Sequence, residues 1–488
     1  MLLYYPFMSF SWDFLIDLGL VSLGLLVATS IRHRVRFFQR FLIPNALTAG
    51  FILLPFYNFV GPYIGIDSGN LGSLVYHLLS LSFISMTLRA NASSDKTGNG
   101  RIFATSVSIL WQWGIQAIVG LLFTYFLMKT FMPDLFPGFG LLLPLGFVQG
   151  PGQAFAIGEG WARFGFEGGG SIGLTFAALG FIVASFGGVF LINIGIRRKW
   201  LTEDFLKGLD TSAVKSGIYP SRKRRPVAAE MTTESEAIDS FTFHIALVFG
   251  VYLLAYLLLL GITTGLTALG PLFADLAVNL WGISFIFSAL TGILVRTVMH
   301  RTGLDFAVDS RTLTRISGLS VDLMVTSAIA AIAIPVVQRY IVPITILAGI
   351  AGVLALVLVP WFCSRIFTDH QFHRTMMIFG VSTGTLPTGL ALLRVIDPEF
   401  ETPVASDYMY ASGLTFVFAI PFILAINLPA YAATTGDMLY FWLAMAVGAG
   451  YTLFVLVAFF FIARKRSLRN KSQVWLFPER APAANESR

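Results

Sequence analysis

An all-α polytopic membrane protein is the fold class this sequence predicts. It is expected as an inverted repeat of five transmembrane helices with one re-entrant hairpin per repeat, plus one extra C-terminal transmembrane helix. Three observations predict it. The 488 residues are 56% hydrophobic and 12% charged, about half the roughly 25% charge of a soluble domain. Apolar runs of about 20 residues, enough to cross a hydrocarbon layer of about 30 Å, recur along the chain. Two further apolar segments are broken at their centres by Gly and Pro, at equivalent places in the two halves.

Taken in order, spans are expected at 14–31, 44–62, 71–89 and 103–128, then a broken segment at 139–160 and a fifth span at 171–196. A second series follows at 241–265, 278–298, 316–337 and 341–364, then a broken segment at 375–396 and a tenth span at 406–431. An eleventh runs over 438–463. The opening MLLYYPFMSFSWDF lacks a basic n-region, so no cleaved signal peptide is expected. Arg197 to Ser240 is polar, carries both signs of charge and has little periodicity, which reads as a flexible linker. The chain thus divides into a first repeat (1–196), a cytoplasmic linker (197–240), a second repeat (241–431) and an extra span with a basic tail (432–488).

Orientation follows from the basic residues, which accumulate in cytoplasmic loops. With the N-terminus outside, the C-terminus cytoplasmic and both broken segments returning to the side they entered, 30 of the 33 Lys and Arg fall inside. Only Lys129, Arg163 and Arg339 remain outside. A full crossing of the first broken segment would instead turn the nine basic residues of 197–240 outward. The net charge of +7 is therefore a topology signal, and no nucleic-acid partner is expected. The run SRKRRP at 221–226 reads as an anchor near acidic lipids.

The two halves share short words in the same order. ALTAG (Ala46–Gly50) is answered by ALTG (Ala289–Gly292), GFVQG (Gly146–Gly150) by GVSTG (Gly380–Gly384), and GLTF (Gly173–Phe176) by GLTF (Gly413–Phe416). Five spans per unit is an odd number, so the second copy would be inverted, the architecture of secondary transporters. Each arm of a broken segment has about ten residues, or roughly 15 Å of helix, so each break is expected near the bilayer midplane. There the freed backbone groups need partners from protein, water or solute. Half-helix N-termini suit a carboxylate, and unwound carbonyls suit Na⁺. This selects Gln149, Gly150, Gly152 and Gln153 around the first break, and Ser382, Thr383, Gly384, Thr385, Pro387 and Thr388 around the second, as substrate- or ion-binding residues.

With these residues in view, the chain resembles the bacterial sodium/glutamate symporter family. IPNALTAG (Ile43–Gly50) is similar to the family's I-P-x-P-V-x-G-G, with Ala49 for the first Gly. LRAN (Leu88–Asn91) is similar to L-N-A-N, with Arg89 in place of an Asn, and GTLPTGLA (Gly384–Ala391) is similar to G-A-T-P-T-x-x-A. Asn427 falls where the family also has an Asn, which adds it to the candidate site. In the first hairpin, Pro151 and Gln153 stand near the His and Thr of the family's G-G-H-G-T. The resemblance covers about residues 14 to 431. It implies Na⁺-coupled symport of glutamate or a related small carboxylate across the bacterial inner membrane, by a homodimer. A hairpin-bearing transport unit (spans 3–5 and 8–10) would slide past a scaffold of spans 1, 2, 6 and 7.

Among charged residues, Asp322 in LSVDLMVTSAIA is a carboxylate within an expected span. It reads as a Na⁺ ligand or proton site, or as an interfacial partner of Arg315 or Arg296. Glu159 with Arg163, and Arg394 with Asp397, read as surface pairs, and His244 as a packing residue. The lone Cys363 excludes an internal disulfide, and no CxxC, HExxH or His/Cys cluster suggests a metal. No cofactor beyond Na⁺ as coupling ion is expected, and no enzyme. H⁺ coupling or another organic anion is the alternative within the transporter class; a channel or a membrane-embedded transferase stands outside it.

Overall fold

The computed structural model describes residues 12–89, 99–200, 229–270, 280–397, 402–467 and 474–477, with 216, 218 and 277 as isolated positions. The first eleven residues and most of the expected linker, SRKRRP included, lie outside the described residues, as do Asn91, the start of span 7 and the end of the basic tail. The fold is 83% helix, and no strand occurs among the described residues. That follows from the composition: long apolar runs must satisfy their backbone groups within the segment, and a helix does so.

The helices are α1 (Asp13–Arg34), α2 (Asn45–Ile64, with a π turn at Phe56–Val60), α3 (Gly69–Thr87) and α4 (Asn99–Thr130). Next come α5 (Phe139–Gln149), α6 (Pro151–Gly160) and α7 (Gly169–Arg197). After the linker follow α8 (Ser240–Ala268), α9 (Ser284–Arg301), α10 (Ser310–Ala330) and α11 (Ile334–Ile366). The last are α12 (Gln371–Thr383), α13 (Leu386–Ile396), α14 (Val404–Ala425), α15 (Leu428–Thr435) and α16 (Leu439–Ala463). Among the described residues, eight helices are long and apolar enough to cross a membrane: α1, α2, α4, α7, α8, α10, α11 and α16. Helices α3, α9 and α14 stand where spans 3, 7 and 10 are expected but are not among those eight.

Two boundaries differ from expectation. The break between spans 8 and 9 falls at Ala331–Ala333, because Pro335 sits in the first turn of α11, where its fixed φ and missing N–H are tolerated. Asn58 staples this break, donating to the Ile332 carbonyl at 2.9 Å and accepting from the Ile334 N–H at 3.0 Å. Span 10 ends at Ala425, and Asn427 precedes a separate short helix with Pro429 in its first turn.

Packing divides the helices into two groups. α3 and α10 pack face to face, α10 also on α2 and α3 also on α9, with α1 against α2 and α8 against α9 at the edges. In the other group α4 carries α14 and α16, α7 carries α6 and α11, and α12 lies between α7 and α11. Spans 3 and 8 therefore belong with spans 1, 2, 6 and 7, not with the hairpins as the resemblance implied. The reason lies in their surfaces: both carry small hydroxyl residues that let them approach, as in the 3.1 Å contact between the Ser82 and Ser317 hydroxyls.

The ends of the bundle differ in chemistry. At one, the basic end, Arg374 (1% exposed) holds Asp407 at 2.7 Å and Asp369 at 3.1 Å, with Arg101 3.2 Å from Asp407. There too His244 accepts the Asp309 N–H at 2.8 Å through Nε2 and contacts the Ser240 carbonyl through Nδ1, so its packing role is joined to capping of α10. At the opposite end the buried Asp17 accepts from Tyr57 at 2.7 Å and Asn70 at 2.9 Å.

Candidate functional site

The chain reverses twice inside the second group. α5 and α6 meet at Gly150, whose φ of +98° and ψ of 177° suit only glycine. The rings of Phe136 and Trp161, just outside the two arms, lie 5.3 Å apart, so the arms start and finish together. α12 and α13 meet at Gly384 and Thr385 and run antiparallel, for a Cβ on Gly380 would stand 2.6 Å from Gly389. The two tips touch: a Cβ on Gly150 would lie 2.9 Å from Thr385 Cγ2.

A cavity of about 310 Å³ opens at the tips. Gln149, Gln153, Thr385 and Pro387 line it, and neither glutamine amide has a hydrogen-bond partner among the described residues. Gly152 is buried beneath Leu79 of α3 and Met324 of α10, where a Cβ would come within 2.7 Å and 2.9 Å of their side chains. From there the cavity runs along α3, α10 and α14 to Arg89 at the basic end.

Behind the second tip lie buried oxygens without partners: Ser382 Oγ, Thr388 Oγ1 and Gln116 Oε1. The three residues are 0%, 3% and 1% exposed. Gln116 reaches the tip from α4, its Nε2 donating to the Ser382 carbonyl at 3.3 Å. An unsatisfied buried oxygen costs about 1–3 kcal/mol, so this cluster suits a hard cation or water. Electrostatics at the tips carry both signs. The N-termini of α6 and α13 bring partial positive charge to the tips, and the C-termini of α5 and α12 bring partial negative charge.

Three expected residues do not join this arrangement. The Thr383 hydroxyl is used within its helix, donating to the Phe379 carbonyl at 2.7 Å. Asp322 is exposed on α10, beside the face that presents Gly318, Val321 and Met324 to the cavity, and neither Arg315 nor Arg296 forms an ion pair with it. Successive helical residues are about 100° apart, which turns Asp322 away. Asn427 is at the opposite end, accepting from Trp161 Nε1 at 2.8 Å. It lines a separate cavity of about 570 Å³ with Glu159 and Arg163. There Arg163 stacks on Phe164 at 4.7 Å, and Asp397, expected at the surface, is 1% exposed and bound to Thr402.

Sequence reasoning missed Trp113 and Gln116. The stretch WQWGIQ (Trp111–Gln116) carries a signal, since Gln112 and Gln116 share one face of an apolar helix at i, i+4. The fold and site thus define an all-α chain with eight helices fit to cross a bilayer and a cavity where two broken helices meet. No protein-family model, no curated protein and no solved structure matches the chain.

Proposed function

We propose that this protein is a secondary active transporter of the bacterial inner membrane, with two inverted repeats whose hairpins are re-entrant and meet at the binding site. One observation carries the reading. Two apolar helices, broken at equivalent places in the chain, bring their tips together beside a cavity with unpartnered hydroxyl and amide groups. The packing supports it through matched pairs: α1 on α2 with α8 on α9, α2 on α10 with α9 on α3, and α4 on α14 with α11 on α7. Such pairing is what a repeated unit of five spans produces.

In this reading the N-terminus is outside, the C-terminus is cytoplasmic, and the cavity from the tips to Arg89 is open to the cytoplasm. A small carboxylate is drawn into this cavity, and Na⁺ to Ser382, Thr388 and Gln116 behind the second tip. The group carrying both hairpins moves past the α3–α10 wall, whose counterpart in a second copy completes a homodimer. Uptake into proteoliposomes tests the function, with glutamate and other small carboxylates under Na⁺, K⁺ and pH gradients. Saturable, Na⁺-dependent uptake is expected, and Ser382→Ala, Thr388→Ala or Gln116→Ala should each raise the Na⁺ half-saturation about tenfold, the equivalent of one lost ligand bond of about 1.4 kcal/mol. Uptake that follows the pH gradient would assign H⁺ as the coupling ion; conductance without saturation would replace the transporter by a channel.

A further inference from the structure

The lining of the tip cavity bears on which anion the transporter takes, and this step rests on the transport reading above. Arg89 is the one charged residue lining it among the described residues. It donates to the Met86 carbonyl at 3.3 Å and to Thr314 Oγ1 at 3.2 Å, with no carboxylate partner among the described residues. An amino-acid substrate brings an ammonium group, which must find an acceptor when it leaves water. Among the described residues no acid lines this cavity. Three carbonyls at the tips are engaged, and the acceptors that remain on the lining are neutral, the Gln149 and Gln153 amides and the Thr385 hydroxyl. The carbonyl of Thr385 accepts the N–H groups of Thr388 and Gly389, each at 3.0 Å, that of Ser382 accepts Gln116, and that of Gly150 accepts Ala154 at 3.3 Å.

Length bears on it too. Leu79 is level with the first tip, where it meets Gly152, and Arg89 is ten residues further on, two past the end of α3, or roughly 15 Å between backbones. The Arg89 side chain folds back along α3 to the Met86 carbonyl, so a ligand that meets both lies lengthwise between the guanidinium and the tip. Between them the wall is mostly apolar and adaptable, with Phe83, Met86, Phe285, Met324, Leu390 and Tyr408, and the Ser82 and Ser317 hydroxyls there are bonded to each other. The volume of about 310 Å³ is at the lower end for drug-sized ligands, about 300–1,000 Å³. Near the tip, the buried Nε1 of Trp113 and Oγ1 of Thr385 have no partner and can meet a polar group at the far end.

We propose that the ligand is an amphipathic organic monocarboxylate, its carboxylate paired with Arg89 and its apolar body lying along α3 toward the tips, rather than a dicarboxylic amino acid. Thermal stabilisation of the purified full-length protein in Na⁺ tests this with butyrate, hexanoate, octanoate and 3-phenylpropanoate, their neutral amides, and glutamate. Affinity should rise about fourfold per added methylene from four to eight carbons, and each acid should bind about tenfold or more tighter than its amide. Arg89→Gln should bring acid and amide within about twofold while leaving the chain-length trend, and Arg89→Lys should restore the preference for the acid. Glutamate binding tighter than octanoate, a flat chain-length series, or an unchanged acid-to-amide ratio in Arg89→Gln would overturn the proposal. Should Arg89→Gln not fold, the two series on the unmodified protein decide it. The readings separate cleanly: monocarboxylate binding without uptake removes transport alone, and Na⁺-driven glutamate uptake without monocarboxylate binding removes this proposal alone.

Discussion

The two reversals share a plan and differ in how they are held. The first is packed along its second arm and closed at its base: α6 lies along α7, Pro151 and Gly152 are buried, and Phe136, Trp161 and Phe166 make aromatic contacts, while Gln149 and Gln153 face the tip cavity. The second is held by one arm. Its first arm, α12, is buried from Phe372 to Thr383 and anchored by Arg374. Its second arm, α13, packs on α12 and α7 but makes no comparable contact with α14 among the described residues, and Leu386, Pro387 and Leu390 look into the cavity. Equivalent breaks thus yield one hairpin whose second arm is packed along α7 and one whose second arm is held mainly by its own first arm. A site that must admit and release a ligand needs that asymmetry, because an arm with few buried contacts opens at low cost.

The largest effect on this contrast should come from the anchor. Arg374→Ala leaves Asp407, 5% exposed, without its closest partner, and breaking a buried pair costs about 3–5 kcal/mol. Arg101 remains 3.2 Å away, so a loss near the lower end is expected in denaturation of the purified protein. An unchanged stability would remove the ionic anchor from the comparison. Acid acts on the same network. Burial raises the Asp369 carboxyl, but hydrogen bonding and charge from Arg374, with Arg101 and His370, outweigh it and hold it below its ordinary value. Its contribution is therefore complete above the unfolded carboxylate pKa and is lost as pH falls through the depressed folded value.

Next comes the first tip. Gly150→Ala puts a side chain at φ +98° and within 2.9 Å of Thr385, for about 1–3 kcal/mol. Gly384 has a negative φ of −144°, but a Cβ there would stand 3.0 Å from Thr388 Oγ1 and 3.1 Å from the Gly380 carbonyl. The Gly384→Ala loss in melting temperature should therefore come from crowding and be relieved by Thr388→Ala, whereas the Gly150→Ala loss should not be; relief of both or of neither would mean that backbone conformation does not separate the tips. A smaller effect concerns exposure. Cys363 is the only cysteine and is buried, which leaves a quiet background for thiol labelling. Pro387→Cys should react with a water-soluble maleimide about tenfold or more faster than Pro151→Cys, as expected when local opening limits the buried site, and ligand should slow the first only. Equal rates would break the comparison outright. The smallest effect is at Asp322: Asp322→Asn should leave uptake and its Na⁺ dependence within about twofold, in line with surface substitutions away from a site. A large loss would return that carboxylate to the mechanism.

Much of this was legible in the residues. Gly-Pro-Gly at 150–152 cannot continue a helix, and STGTLPTG at 382–389 ends one arm and begins another with Pro387 in the first turn; local backbone chemistry suffices for both. Hydropathy sets the long helices for the same reason, since each run satisfies its own backbone. The rest depends on partners far away in sequence. That Thr383 spends its hydroxyl on Phe379 while Ser382 and Thr388 keep theirs free is a matter of helix phase and neighbours. Gln116 is 266 residues from the carbonyl it holds, and Asn427 is drawn to Trp161 across the same separation. The grouping of spans 3 and 8 with the outer helices was decided by small residues meeting across α3 and α10. Periodicity shows that a helix has an apolar face, but most faces of such a chain are apolar, so which face meets which is settled only by close packing in three dimensions.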